Sequence, residues 1–226
     1  MGKKKRHHRI HREGRGIIFC LTFLIFAINV PIYLYSPNWL LAITILLSAA
    51  LLIFVTYFFR NPQRILEVSD SNLLIAPADG RVVVIEPTTE NEYFHDQRLQ
   101  VSIFMSPFNV HANWYPIEGK VLVSEHQDGY HKGAWLPKSS TENERSLVVI
   151  ETPNKVQIAV RQIAGAMARR IVTYAKAGGH SHRNEHFGFI KFGSRVDMYL
   201  PLDTEIFVSV GEQVTGNETI IGRINS

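Results

Sequence analysis

Cysteine is nearly absent from this chain: Cys20 is the only one among 226 residues. It lies in an apolar run, so an intrachain disulfide and a cysteine-based metal site are both excluded. A single thiol is compatible with a reducing compartment. Net positive charge is confined to one segment. Residues 1–16 hold Lys3, Lys4, Lys5, Arg6, Arg9, Arg12 and Arg15 against Glu13, a net +6, whereas the whole chain carries +4. The remainder is therefore net −2. The basic character belongs to a tail, which gives no footing for a nucleic-acid-binding domain, and no nucleic acid is expected as a partner.

Charge vanishes altogether from two early runs. Leu40 to Phe59 is a 20-residue stretch without a charged side chain. As a helix it is about 30 Å long, the thickness of a hydrocarbon core. Ile17 to Tyr35 is also uncharged and is interrupted only by Asn29 and Pro31. Ser36-Pro37-Asn38 reads as a short turn, with Tyr33, Tyr35 and Trp39 around it, as aromatics gather at a membrane interface. Basic residues lie outside both far ends, the Lys3–Arg15 block on one side and Arg60 and Arg64 on the other. The positive-inside tendency then puts both ends in the cytoplasm, giving a membrane hairpin that spans or is re-entrant. A cleaved signal peptide fits less well, because no small-x-small site follows the first run. His7, His8 and His11 belong to a solvated basic patch that attracts anionic lipid, at about 1 kcal/mol per Lys or Arg.

After Arg64 the texture changes to short β-branched runs separated by turn residues. They include Arg81–Ile85, Leu99–Phe104, Lys120–Ser124, Ser146–Thr152, Val156–Ile163, Ile171–Ala175, Phe187–Phe192, Val196–Leu200, Glu205–Val210 and Thr219–Ile224. This spacing predicts a mainly β domain, barrel- or sandwich-like, with little helix. Ala164 to Arg170 is the sole helical candidate of note. Val208 to Val214, followed by Ile220 to Ile224, has the strand–turn–strand rhythm of lipoyl-type barrels. The expected divisions are a basic cytoplasmic tail over 1–16, a hydrophobic hairpin over 17–59 and the β-rich domain over 60–226.

Four polar features stand out. Pro77-Ala78-Asp79-Gly80 precedes a strand; it reads as a turn, or as a carboxylate held where it can orient a histidine. Met105-Ser106-Pro107-Phe108-Asn109-Val110-His111 closes an apolar strand with a histidine that reads either as a satisfied structural group or as the best-placed general acid/base in the chain. His180, His182 and His186 precede the last such feature in an H-x-H-x3-H pattern. Three imidazoles can hold zinc, but no carboxylate or thiolate has an evident role beside them, and no metal is expected. His126 and His131 are assigned nothing, and Lys138 to Arg145 reads as a polar lip over a site. Finally, Gly193-Ser194 joins two predicted strands, where Gly frees the backbone and the Ser194 hydroxyl can reach the preceding peptide carbonyl.

Taken together, these stretches resemble the phosphatidylserine decarboxylase family in its shorter form. Phe58 to Arg64 resembles that family's entry after the membrane segment. Pro77 to Gly80 is similar to its Asp-Gly motif, Ser106 to His111 to its Ser-Pro-x-x-x-His motif, and Phe192-Gly193-Ser194-Arg195 to the self-cleavage site of short members. The resemblance runs from about Phe58 to the carboxyl terminus.

What it implies is a self-processing, membrane-bound carboxy-lyase at the cytoplasmic face of the cell membrane. Ser194 attacks Gly193, the chain breaks into 1–193 and 194–226, and a covalent pyruvoyl cofactor derived from Ser194 caps the shorter piece. The pieces form a heterodimer, with further oligomerisation left open. His111 is the implied base, oriented by Asp79 on the logic of a hydrolase triad. The pyruvoyl ketone forms a Schiff base with the amine of phosphatidylserine, and His111 is the first candidate to return the proton after carbon dioxide departs. One departure from the pattern is Trp114, where longer members carry a second histidine; His180 or His186 is then a candidate assistant. Two other classes compete. A membrane-anchored lipoyl-type barrel adaptor without catalytic activity explains the hairpin and the Val-Gly-Glu-x-Val rhythm. A zinc hydrolase explains the histidine-rich loop.

Overall fold

The computed structural model describes residues 9–129, 143–165, 170–191 and 194–225. His7, His8, His131, Gly193 and most of the Lys138–Arg145 segment lie outside the described residues. The chain divides into two compact units, Met1–Gln63 and Arg64–Ser226.

The first unit is a helical hairpin. Helix α1 spans Arg12–Tyr35 and α2 spans Asn38–Phe58, with only Ser36 and Pro37 between them. Both are long and apolar enough to cross a membrane, at 24 and 21 residues. Helix α1 begins five residues before the uncharged run, because His11 caps it: the imidazole Nδ1 accepts from Glu13 N at 3.4 Å. Mid-hairpin, Asn29 Nδ2 donates to Ile25 O at 2.8 Å and to Ser48 Oγ of α2 at 3.1 Å. At the open end the flanking backbones pair, with His11 N donating to Phe59 O and Asn61 N to Arg9 O. The two ends of the hairpin are thereby clasped together.

The second unit is mainly β, as its alternating runs predict. Its strands are β1 (Leu73–Ile75), β2 (Gly80–Glu90), β3 (Asp96–Met105), β4 (Ala112–Trp114), β5 (Gly119–Gln127), β6 (Arg145–Glu151) and β7 (Gln157–Ala164). They continue as β8 (Arg170–Thr173), β9 (His180–Ser181), β10 (His186–Lys191), β11 (Ser194–Leu200), β12 (Glu205–Ile206), β13 (Gln213–Val214) and β14 (Ile220–Arg223). Eight of them form one sheet in the order β13-β2-β3-β11-β7-β6-β5-β9. Two three-stranded sheets, β1-β14-β12 and β4-β10-β8, complete the unit. Apolar side chains from all three sheets, among them Leu74, Ile103, Val160, Ile171, Ile190, Val196 and Ile221, meet in one buried core. The helix expected over Ala164–Arg170 is not borne out at its ends: Ala164 closes β7 and Arg170 opens β8, while 166–169 lie outside the described residues. A strand partner on each side overrides the weak local helical preference.

The opposite face of the large sheet is covered by the tip of the β2–β3 hairpin. Tyr93 and Phe94 pack on Leu147, Val149, Ala159 and Tyr199. Beneath them lies a buried polar group. The Glu90 carboxylate accepts from the N–H groups of Glu92, Tyr93 and Phe94 at 2.9, 2.8 and 2.8 Å, which closes the hairpin turn. It also takes a 2.7 Å contact from Arg161 Nη2, whose other Nη donates to the Tyr199 hydroxyl at 2.5 Å. Burial pushes the Glu90 pKa up, but the three N–H donors and the Arg161 charge outweigh it, and the net shift is downward from 4.5. Burial, then the Asp197 charge, raises the Tyr199 phenol well above its ordinary range, so Tyr199 stays a neutral partner. A lowered folded-state pKa means that Glu90 stabilises the fold above the ordinary glutamate value and ceases to as the pH falls through the lowered one. Glu90→Ala leaves Arg161 short of a buried partner and should cost about 3–5 kcal/mol. Thermal unfolding in detergent is expected to show this deficit at neutral pH and to show it shrinking as the pH falls below 4.5.

Candidate active site

Ser194 is the first residue of β11 and is fully buried. It pairs with Met105 of β3 on one side and Ala164 of β7 on the other, in the middle of the eight-stranded sheet. Its Oγ lies 3.2 Å from Met105 Sδ. A thioether is a weak acceptor. The hydroxyl is therefore withdrawn from water without being committed to a strong structural hydrogen bond.

His111, also fully buried, ends the loop between β3 and β4. The sequence folds this loop through Asn109. Its Oδ1 accepts from Ser106 N at 2.9 Å and from Ser106 Oγ at 2.8 Å, while Asn109 N donates back to Ser106 O at 3.0 Å. The Asn109 carbonyl then meets His111 Nδ1 at 3.0 Å. A carbonyl only accepts, so Nδ1 carries the hydrogen of this contact. The backbone of His111 is fixed as well, its carbonyl accepting from Ile190 N at 3.1 Å.

Asp79 stands at the entrance to β2, where Gly80 is required: a Cβ there would collide with the Phe104 carbonyl of the paired strand. The carboxylate forms a bidentate pair with Arg64, one arm being Nη2 to Oδ2 at 3.0 Å and the other Nη1 to Oδ1. It also accepts from Gly216 N at 2.8 Å and from Val110 N at 3.3 Å. Asp79 thus holds three separate stretches of chain, and it reaches the histidine through the backbone of the neighbouring Val110. The imidazole Nδ1 contact belongs to Asn109 instead.

Trp114 is almost fully buried, its backbone N–H donating to Pro77 O at 2.9 Å. The ring meets the His186 imidazole edge-on at 4.9 Å and lies under the Arg64 guanidinium at 5.1 Å. Gly216 is needed beside it, because a Cβ would come within 2.7 Å of the indole. His180 and His182 have ring centroids 6.2 Å apart on the exposed side of their loop, while His186 is occupied by Trp114. Among the described residues, no three His, Cys, Asp or Glu side chains gather as metal ligands.

Sequence reasoning picked out Ser194, His111 and Asp79 but missed Arg64, Met105, Asn113 and Gln162. Arg64 was visible as a charge after the hairpin and as the end of the Phe58–Arg64 motif, Gln162 lay in a predicted strand, and Met105 and Asn113 were given no role of their own. Arg64 and Asp79 each expose only 10% of their side chains. Removing one partner of such a pair leaves the other charge buried, so Arg64→Ala should destabilise the second unit by about 3–5 kcal/mol. Arg64→Lys, which keeps the charge but not the fork, is expected to fall between that and the parent in unfolding midpoint.

Comparison with known proteins accords with these features. The phosphatidylserine decarboxylase family profile matches residues 51–222. Phosphatidylserine decarboxylase proenzymes of Bacteroides fragilis and Bacteroides thetaiotaomicron are 53% and 51% identical over 226 residues, covering 98% of this chain and of each relative. The proenzyme of Porphyromonas gingivalis is 45% identical over 218 residues, 96% of this chain and 99% of its own. The chain belongs to the phosphatidylserine decarboxylase family.

Proposed function

We propose that this chain is the proenzyme of a pyruvoyl-dependent phosphatidylserine decarboxylase, which cleaves itself between Gly193 and Ser194. The product then converts phosphatidylserine into phosphatidylethanolamine and carbon dioxide. The observation that carries the reading is the state of Ser194: fully buried, central in the sheet, its hydroxyl set on a thioether. The position suits a pyruvoyl group, because turning this serine into a ketone breaks no side-chain hydrogen bond except that weak one.

A serine hydroxyl is a poor nucleophile until a base takes its proton. His111, with Nδ1–H on the Asn109 carbonyl, offers Nε2 for that proton. Ser194 Oγ bonds to the Gly193 acyl carbon, the carbon–nitrogen bond breaks, and the Ser194 nitrogen takes up the proton, leaving an ester. Loss of the Ser194 Cα proton with cleavage of the Cβ–oxygen bond releases Gly193 as a carboxylate. Water then replaces the nitrogen of the resulting dehydroalanine, ammonia leaves, and residue 194 becomes the pyruvoyl terminus. Asp79 serves by fixing the loop that carries His111, through Val110 N–H, against Arg64 and Gly216. Once in place, the pyruvoyl group supplies the sink for the electron pair left when carbon dioxide departs. His111 is the chain's own candidate to return a proton to that carbon.

The products 1–193 and 194–226 remain associated on this reading, because β11 is paired along its length with β3 and β7. The hairpin anchors the enzyme in the cell membrane beside a substrate whose acyl chains stay there. Basic residues outside both of its far ends support the cytoplasmic face.

Intact mass spectrometry of the purified protein tests this directly. Two chains, 1–193 and 194–226, are expected, the second lacking a free amine. Ser194→Ala should stay whole and release no carbon dioxide from phosphatidylserine, and activity in that variant would remove Ser194 as the cofactor's source. His111→Ala should slow cleavage by about 10²–10⁴-fold. Activity on free serine equal to that on the lipid would contradict the assigned substrate.

A further inference from the structure

Behind Ser194 lies a set of neutral polar side chains, most of them sealed from water. Gln162 and Asn113 are fully buried and Ser146 nearly so. Gln162 Oε1 accepts from Ser146 Oγ at 2.7 Å and from Thr173 Oγ1 at 3.0 Å. Two hydroxyls on the oxygen leave the amide nitrogen for the other side, and Gln162 Nε2 donates to Asn113 Oδ1 at 2.7 Å. With Gln162 in this orientation, reversing the Asn113 carboxamide alone would place two NH₂ groups face to face. Its NH₂ group points at Met105 Sδ, 3.7 Å away, the same sulfur on which Ser194 Oγ rests at 3.2 Å. A buried amide donor with a thioether as its described partner has hydrogen-bonding capacity left over. It shares that sulfur with the Ser194 hydroxyl.

We propose that Asn113 Nδ2 donates to the acyl oxygen that becomes negatively charged when Ser194 Oγ attacks the preceding peptide, and that Gln162 is the positioning residue that aims it. The proposal rests on the self-cleavage reading above. As the Oγ–carbon bond forms, the carbonyl π electrons move onto that oxygen, and they return when the carbon–nitrogen bond breaks. A pre-aimed donor in a dry site favours this charged state and needs no reorganisation as it forms. The same donor serves the carboxylate released in the elimination. His111 supplies the base and Asn113, two residues on, supplies the electrophilic contact.

The test follows self-cleavage of the full-length protein in detergent, by denaturing gel and intact mass. Thermal unfolding is measured on every variant. Asn113→Asp keeps the shape and still accepts from Gln162, but at neutral pH it has no hydrogen to donate. Cleavage should slow by about 10²-fold or more. The deficit relative to the parent should shrink as the pH falls, because the protonated acid regains a donor, whereas a strut with no part in the chemistry predicts no such dependence. Gln162→Glu supplies an acceptor where Nε2 was, so the Asn113 amide reverses and presents its oxygen to Ser194. That variant too should cleave slowly, although Asn113 is still present and hydrogen-bonded. Should Asn113→Asp not fold, Asn113→Ala and Gln162→Glu decide. Parent-like cleavage in any folded one of these overturns the assignment. A parent chain that itself stays whole, with serine at 194, refutes the self-cleavage reading instead, so the two failures are told apart.

Discussion

A residue that is to cut its own backbone must be held from the side on which the chain survives. On the proposed self-cleavage reading, Ser194 meets that constraint by opening a strand with partners on both flanks. Residues 194–200 pair with 99–105 of β3, and residues 194–199 with 159–164 of β7. These ladders do not depend on the peptide bond at the amino side of Ser194. On the proposed reading, cleavage there removes a covalent tether and leaves the rungs from Arg195 onward in place. An edge strand would have lost half of this support and would have presented an unpaired edge as well. The central position makes the chemistry compatible with a folded product.

The two faces of β11 are specialised accordingly. Val196 and Met198 point into the apolar core, on the face where Ser194 lies against Met105. Arg195, Asp197 and Tyr199 alternate with them on the other face, where Arg195 Nε donates to Asp197 Oδ1 at 2.8 Å and Tyr199 accepts from Arg161. Charge is thus kept off the reacting face and placed where acids and arginines satisfy one another beneath the β2–β3 hairpin. On the reacting face Asn113, Gln162 and Ser146 are neutral buried amides and a hydroxyl beside the His111 imidazole. A dry site with neutral donors strengthens any charge that appears during reaction.

Much of this was legible from residue order. Strand alternation announced the β domain, and two uncharged runs announced the hairpin. Ser194, His111 and Asp79 lay in motifs that stood out as clusters of polar groups at strand ends. The partners of those residues did not stand out, for a physical reason. Arg64 is 15 positions from Asp79, and Gly216 is 137 positions away. A contact across such a separation is set by strand order, which local pattern does not contain. Burial also inverts expectations. Asp79 was read as facing the imidazole, the usual logic of a triad, yet among its described bonds it is tied to an arginine and two backbone N–H groups. The length of β2 escaped notice as well, because Pro87 and the polar Thr88–Glu90 end do not look like a strand. It extends to Glu90 because that carboxylate closes the turn beyond it.

The period of an extended chain also accounts for the tryptophan at the place of a second histidine. Side chains alternate in β4 and the residue before it, so 111 and 113 share one side while 112 and 114 share the other. The contacts follow that rule: Asn113 reaches Met105 and Gln162, whereas Trp114 lies against Arg64, His186 and Gly216. A histidine at 114 in this backbone would stand beside the Arg64–Asp79 pair, where a positive guanidinium opposes its protonation. Filling that place with an indole removes a titratable group from the arginine and gives the guanidinium a π-face. On the side of His111 the residue two positions on is Asn113, whose amide is tied to Gln162 rather than to the arginine.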